Sequence, residues 1–341
     1  MEMMFYVGGY KKDNNECLYL CKYTNDNLQI IESYDVGNAS YLCMSEDRKN
    51  IYAVVETDSF MMKSGGGVAA FHVQPDGRLK FLNTAHTDGE HPCHISVCTQ
   101  NRKLYAANYS GGSTVIFDLK NDGSIGLKKR LIDHNVFGKP SGAVVSRQKN
   151  PYAHYIQCRN AETVWVCDLG LDLVLVLDTD GNEIARLSVP CGFGPRHTAF
   201  HPVLPVAYVV GEMGQAVLQV NYSDLKMEAG SPVPVSPNAT VSCAAVRVSP
   251  DGKFLLTSNR ADISSLSVLK LNDKGEITGV SSVFITEGKC PRDFIFTPKG
   301  DKLFAAYQDS DYIEVVDWRG DGKLTPTGLK MSVPKPACIL F

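Results

Sequence analysis

The sequence predicts an all-β chain: a seven-bladed β-propeller of four-stranded blades, its ring closed by pairing of the N- and C-terminal strands. Three observations carry this expectation. Helical periodicity is nearly absent. Short β-branched and aromatic runs alternate with turn clusters such as PDGR (75–78), NDGS (121–124), PDGK (250–253), PKGD (298–301) and GDGK (320–323). Those runs also recur at a fixed period, which is the mark of a repeat architecture.

The repeat is read from its anchors. IYAVVE (51–56), LYAANY (104–109), VWVCDL (164–169), AYVVGE (207–212), LLTSNR (255–260) and LFAAYQ (303–308) align, with Tyr52, Tyr105, Trp165, Tyr208, Leu256 and Phe304 at their second positions. The spacings are 53, 60, 43, 48 and 48 residues, and FYVGGY (5–10) adds Tyr6, 46 residues before Tyr52. Eleven residues before the last six anchors stand Tyr41, His94, His154, His197, Ala245 and Asp293, each opening another apolar run. A third run follows in each repeat, as in STVIFDL (113–119), LVLVLD (173–178) and YIEVVD (312–317).

Seven such units match a propeller. ACILF (337–341) resembles a first strand without a partner, whereas FYVGGY begins at a second strand. The two termini therefore complete one blade and remove the edges that an open ring would expose. A pair of β-sandwich domains is the rival, but it needs a linker near the middle. The longest irregular stretch, 126–152, falls inside the third repeat and reads as a loop insertion, leaving one domain over 1–341.

Composition narrows the function. Hydrophobic residues are 44% and charged residues 21%, which excludes wholesale disorder. The net charge of −3 and the lack of a basic tract argue against nucleic acid. No stretch is apolar enough to span a membrane, and MEMMFYVGGY reads as no secretory signal. Eleven cysteines without a CxxC pair point to a reducing compartment, so the expected location is the cytoplasm. A closed ring needs no partner, and a monomer is expected.

In each hairpin the start of the first strand lies beside the end of the second, at the open end. Strand starts there contribute His94, His154, Arg196-His197 and Arg292-Asp293. Strand ends contribute Glu56, Asn108-Tyr109, Asp168, Glu212, Asn259-Arg260 and Gln308. Charges of both signs gathered at one end of seven hairpins suggest a polar site with tunable acidity. The opposite ends carry ordinary turn residues.

A structural role stands beside each functional one. Histidines at strand starts also bond neighbouring blades. Asp168 in DLGLD suits a turn or inter-blade acceptor, and Asn108 and Asn259 suit strand-end brackets. Arg196, Glu212 and Arg260 are harder to explain structurally, because burying unpaired charge is costly. Other motifs fail: HPCH (91–94) lacks a second metal-ligand pair, GGG (65–67) lacks the Lys-Ser/Thr of a phosphate loop, and no GxSxG is present.

GPRH (194–197), DLGLD (168–172), SPDGKFLLTSNR (249–260), PRDFIFTPKG (291–300) and HPCHISV (91–97) resemble the lactonase family of seven-bladed propellers. That family includes the propeller-type 6-phosphogluconolactonases and the fungal carboxy-muconate cyclase. The resemblance spans nearly the whole chain, and it implies a site of His154, Arg196, Glu212 and Arg260. It also implies hydrolysis of a small anionic sugar lactone, 6-phosphoglucono-1,5-lactone first, without metal or cofactor.

In that reading Arg196 or Arg260 stabilises the oxyanion, since guanidinium stays charged. His154 or Glu212 takes the proton from water, His matching neutral pH better. The remaining arginine, with Arg292 and His197, holds phosphate, and His94, Asn108 and Gln308 complete the substrate-binding set. Arginines and histidines nearly balance the acids, so charge alone does not fix the substrate. A cycloisomerase acting on a muconolactone-type ring and a non-catalytic interaction module are the alternatives.

Overall fold

The computed structural model describes residues 2–13, 16–25, 27–223, 226–236, 242–260 and 263–341. Among them, 31 strands form seven antiparallel sheets and one small hairpin. The first blade holds Leu42–Met44, Asn50–Val55, Gly67–Val73 and Leu79–His86. The second holds Pro92–Cys98, Lys103–Asn108, Ser113–Leu119 and Ile125–Asp133. The third holds Ala153–Cys158, Thr163–Asp168, Leu173–Asp178 and Glu183–Ser188. The fourth begins with Pro195–Phe200, Val206–Gly211 and Ala216–Ser223, the fifth with Ser242–Val248 and Phe254–Arg260, and the sixth with Pro291–Phe296 and Lys302–Tyr307.

The seventh blade joins the two ends of the chain. Pro336–Leu340 is its first strand and Met3–Gly9 its second, with Tyr6 opposite Leu340, Val7 opposite Ile339 and Gly8 opposite Cys338. A Cβ on Gly8 would lie 2.2 Å from the Ala39 carbonyl of the first blade, so the closure requires glycine there. First strands of successive blades touch one another all the way round, which makes the ring.

Each of seven apolar clusters lies between two neighbouring blades. One, for example, joins Tyr52, Val54, Val68 and Ala70 of the first blade to Ile95, Leu104, Ala106 and Phe117 of the second. A middle strand is therefore covered on both faces, and Val206–Gly211 is buried throughout. That is why the second-strand runs read as continuous apolar stretches rather than alternating ones. The anchor tyrosines have a further use. Tyr6, Tyr52, Tyr105 and Tyr208 donate to the carbonyls of Gly77, Gly123, Thr179 and Gly275 at 2.7, 2.9, 3.2 and 2.6 Å, each in the outer turn of the next blade. The repeated column is a repeated inter-blade tie.

The structure corrects three expectations. Blades are not uniformly four-stranded: in the fourth, the third strand pairs with both Lys226–Ala229 and Val233–Pro234, and Ser59–Phe60 with Lys63–Ser64 forms a separate two-stranded hairpin. The insertion 126–152 is shorter than the sequence suggested, because Ile125–Asp133 is the second blade's outer strand. Its mostly exposed residues lack the apolar pattern by which inner strands are recognised.

The third correction concerns register. Anchors Tyr52, Tyr105, Tyr208, Leu256 and Phe304 pair with Cys43, Ser96, Ala199, Arg247 and Ile295, nine residues earlier. Trp165 instead pairs with Gln157, eight residues earlier. The equivalent of His94 and His197 in the third blade is thus Tyr155, and His154 belongs to a different column. Among the described residues no helix is long and apolar enough to cross a membrane.

Candidate active site

The site residues come from a shared irregularity. The first-to-second-strand ladder slips between Pro92 and His94, between Ala153 and Tyr155, between Pro195 and His197, and between Pro291 and Asp293. Such bulges re-aim the extra residue and sit at the rims of closed sheets. The residues stepped over are Cys93, His154, Arg196 and Arg292. Next along the strands come His94, Tyr155, His197 and Asp293. Two successive rings of side chains follow, one at the open hairpin ends and one deeper.

The outer ring meets Glu212. Its Oε2 accepts from Arg196 Nε at 3.0 Å and forms an ion pair with Arg260 Nη2 at 2.9 Å, Arg260 donating to the Cys243 carbonyl at 3.0 Å, and His154 Nε2 lies 3.9 Å away. Its Oε1 accepts from Arg147 Nη2. Burial opposes ionisation of Glu212, but Arg260, Arg196 and Arg147 outweigh it and hold the carboxyl well below its usual range. Burial, and then Arg260, push the Arg196 guanidinium down to about 10, so it remains charged near neutrality. Arg196 also donates to the Ala244 carbonyl at 2.7 Å, which fixes its orientation.

Arg292 donates to Tyr10 Oη at 2.7 Å, and Tyr10 donates to Glu56 Oε2 at 2.9 Å. Ser40 donates to the same carboxylate oxygen. Burial and then Arg196 hold the pKa of His154 well below the usual imidazole range, so the ring is neutral at pH 7. Tyr109 packs edge-on to His154 with ring centres 5.2 Å apart, and stacks on Tyr152 at 4.8 Å. A cavity of about 690 Å³ opens beside Arg260, lined also by Ser242, Ser264, Thr286, Lys289 and Asp309.

The structure brings His154, Arg196, Glu212 and Arg260 together, and places Arg292, bonded to Tyr10, close enough for its charge to act on Arg196 and His154. It leaves the other four candidates outside this contact. Asn108 is buried and brackets its strand through Ser113 Oγ at 3.0 Å. Gln308 opens a short 3-10 turn and donates to Asp309 at 3.2 Å. His197 and His94 lie in the deeper ring with Tyr41 and Tyr155, His197 being 5.5 Å from His154 and 5.1 Å from His94 between ring centres. Asp168 is structural: it bonds His134 Nδ1 at 2.7 Å and the backbone N–H groups of Tyr152 and Leu171 at 2.9 Å each.

Two members were missed. Arg147 sits on the loop after the second blade, outside every repeat column, so no periodicity could mark it. Gln148 holds that loop by donating to the Leu169 carbonyl at 2.9 Å. Cys93 was legible in principle, standing one residue before His94 as Arg196 stands before His197. Its Sγ lies 3.8 Å from His154 Nδ1, but burial holds the thiol well above its usual range, so it is neutral and no nucleophile as it stands. Among the described residues no group of three or more His, Cys, Asp or Glu is placed to hold a metal.

The sequence suggested near balance of charge, and the geometry alters it. The histidines are neutral and Asp168 and Asp293 are engaged elsewhere, so Arg147, Arg196, Arg260 and Arg292 face Glu212 and Glu56. The excess is positive. A seven-bladed propeller with arginines gathered round one buried carboxylate at its mouth is the class of protein that fold and site define.

Known proteins agree with that class. The family model for lactonase, the 7-bladed beta-propeller family, matches residues 4–341, and the chain belongs to this family. It is 30% identical over 351 residues to the 6-phosphogluconolactonase of Bacillus subtilis (strain 168), covering 98% of this chain and 97% of that one. A solved structure of a candidate 6-phosphogluconolactonase from Bacteroides fragilis superposes with a TM-score of 0.90 at 28% identity, covering 99% of this chain and 97% of that one. The periplasmic gluconolactonase of Pseudomonas aeruginosa shares the fold, with a TM-score of 0.91 at 23% identity over 99% of this chain and 98% of its own.

Proposed function

We propose that the chain hydrolyses a small anionic sugar lactone, with 6-phosphoglucono-1,5-lactone the foremost candidate. The observation that carries this reading is the clamp of Arg196 and Arg260 on Glu212 beside a neutral His154. Family membership and the 6-phosphogluconolactonase of Bacillus subtilis support the substrate class.

A lactone is an activated ester. Its opening needs a polarised carbonyl, an unprotonated base and a grip on the rest of the molecule. Arg196 and Arg260 meet the first need, because fixed guanidinium donors in a dry site stabilise the developing oxyanion without reorganising. His154 meets the second: it accepts a proton from the attacking water, and the imidazolium so formed lies beside Glu212 at 3.9 Å. Glu212 itself is a poor base, since it accepts from Arg196 and Arg147 and is ion-paired with Arg260. Its role is to hold those arginines and steady the charged imidazole. Arg292 and the polar cavity beside Arg260 receive the anionic tail, and Tyr109 and Tyr152 offer aromatic faces to the sugar ring.

The balance is simple. Water oxygen bonds to the carbonyl carbon, its proton passes to His154, the ring C–O bond breaks, and the ring oxygen takes that proton back. A cycloisomerase would need a ready proton donor here, which a neutral buried imidazole supplies poorly. Proton release from freshly made 6-phosphogluconolactone, above its spontaneous background, tests the proposal. Acceleration lost in Arg196→Ala is expected, with oxygen from labelled water in the product. No acceleration of this lactone or of gluconolactone overturns it.

A further inference from the structure

A second large cavity lies away from the arginine clamp. It opens at the opposite mouth of the axis, where the first strands end, and has a volume of about 860 Å³. Six of the seven blades contribute to it. Three lining side chains are arginines, Arg48, Arg159 and Arg247, while Glu46 is the single acidic side chain among them. Asp293 answers Arg247 at 3.0 Å from the deeper ring. Arg48 and Arg159 are exposed at the rim and, among the described residues, neither has a carboxylate partner; Arg159 lies over the Phe200 ring at 4.9 Å. Positive charge is therefore left over at a concave, six-sided mouth.

A second observation concerns a residue in the wall of the same cavity. His94 lines the cavity and is 3% exposed. Its Nδ1 lies 2.9 Å from the Ile156 carbonyl and 3.4 Å from the Ile156 N–H; the shorter contact is to the carbonyl, which only an N–H can bond, and it assigns the proton to Nδ1. The neutral ring then has its lone pair on Nε2, which is buried and has no hydrogen-bond partner. A buried acceptor wants a donor, and unsatisfied groups of this kind are rare in native interiors. Gln157 and Thr198 add polar groups to the wall. His197 separates this chamber from His154, its ring 5.1 Å from His94 on one side and 5.5 Å from His154 on the other.

We propose that this opposite mouth is a second binding site, for a small polyhydroxylated anion of the sugar-acid type. A hydroxyl of the ligand donates to His94 Nε2, and its anionic group is held by Arg159 and Arg48 at the rim, with Arg247 deeper. The site is distinct from the arginine clamp and shares no side chain with it. Because its recognition differs at the two ends, an anion without hydroxyls satisfies only the rim and a neutral polyol only the depth.

Calorimetric titration of the full chain distinguishes these cases, with gluconate, inorganic phosphate and glucitol as probes. Arg196→Ala is the host, since it weakens the clamp and isolates the second site. Gluconate is expected to bind saturably to that host. Adding Arg159→Ala should weaken it about tenfold, the scale of one charge-assisted bond. Adding His94→Phe, which keeps a flat ring but removes the acceptor, should weaken gluconate and leave phosphate unchanged. In the otherwise native chain Arg159→Ala should leave lactone turnover intact, which separates this site from the clamp. Absence of saturable gluconate binding, or binding indifferent to Arg159→Ala, overturns the proposal. Phosphate binding without gluconate binding overturns the polyol half of it.

Discussion

Arg196 and Glu212 stand on adjacent strands of one hairpin, and the Arg196 Nε donates to Glu212 Oε2 at 3.0 Å while its Nη1 is tied to the Ala244 carbonyl at 2.7 Å. Both side chains are almost wholly buried. An arginine held from two sides cannot swing to follow a ligand, and fixed donors are what stabilise charge as it develops.

Removing that donor should therefore affect chemistry more than binding. Arg196→Ala is expected to lower kcat by about a hundredfold to a thousandfold, the range seen when one oxyanion donor is lost. Arg292→Ala, placed to hold the substrate's tail, should act mainly through KM. Steady-state kinetics on the same lactone separates the two. Equal kcat loss in both variants contradicts the division of roles.

Glu212→Gln removes the charge shared by Arg147, Arg196 and Arg260 and leaves three guanidinium groups crowded. Breaking a buried pair in this way costs about 3–5 kcal/mol. A lower melting temperature and turnover reduced about tenfold or more are expected. Thermal unfolding followed beside activity checks both, and a variant as stable as the parent would show the clamp to be energetically idle.

The pH dependence has a definite sign. His94, His154 and His197 are buried and held well below the usual imidazole range, burial being the main cause. Below about pH 6.5 the unfolded chain binds protons there that the folded protein refuses, so stability falls as pH falls. The depressed Glu212 carboxyl acts in the same direction at lower pH, its contribution being lost as pH drops through its folded value. Melting temperature should decline from pH 7 to pH 5. If His154 is the base, kcat/KM should stay flat near neutrality and fall only in acid, its inflection below about pH 6.5. An inflection above pH 7 would remove His154 from that role.

Asp168 gives the contrasting case. It ties His134 to the backbone on both sides of the loop that carries Arg147. Asp168→Ala should cost about 2 kcal/mol or more, because buried donors lose their acceptor. Glu212 would keep its arginine contacts within the fourth and fifth blades, so activity per folded molecule at low temperature should fall less than in Arg196→Ala.

Tyr52→Phe deletes one inter-blade tie, the 2.9 Å bond to the Gly123 carbonyl, and keeps the ring. About 1 kcal/mol of stability should go, with unchanged kinetics. Denaturant titration measures it, and no loss would mean that the anchor column acts through packing alone.

Much of this was legible in the chain because it repeats. The anchor tyrosines and tryptophan mark second strands, and each must fill the same gap between two sheets, so the same residue type recurs at the same place. Closure was legible as well, since a strand without a partner at one end matched a hairpin lacking its first strand at the other. That His154, Arg196, Glu212 and Arg260 share one face followed from their position at the open hairpin ends, and the family resemblance singled them out from the other residues there.

What the repeat could not carry lies where the chain breaks its own period. Arg147 arrives from a loop, so nothing but tertiary contact assigns it to Glu212. Trp165 pairs one residue out of step, and only the hydrogen-bond ladder shows that His154 aligns with Arg196 rather than with His197. Acidity is also a property of the folded molecule: burial keeps three imidazoles neutral and three arginines keep one carboxylate charged. Sequence alone determined the ring, its closure and the end of the hairpins that bears the charges, because those depend on local pattern and period. The place of Arg147 in the site, the net charge of the site, and the cavity at the opposite mouth were decided by tertiary structure, because each depends on distances between residues that the period never relates.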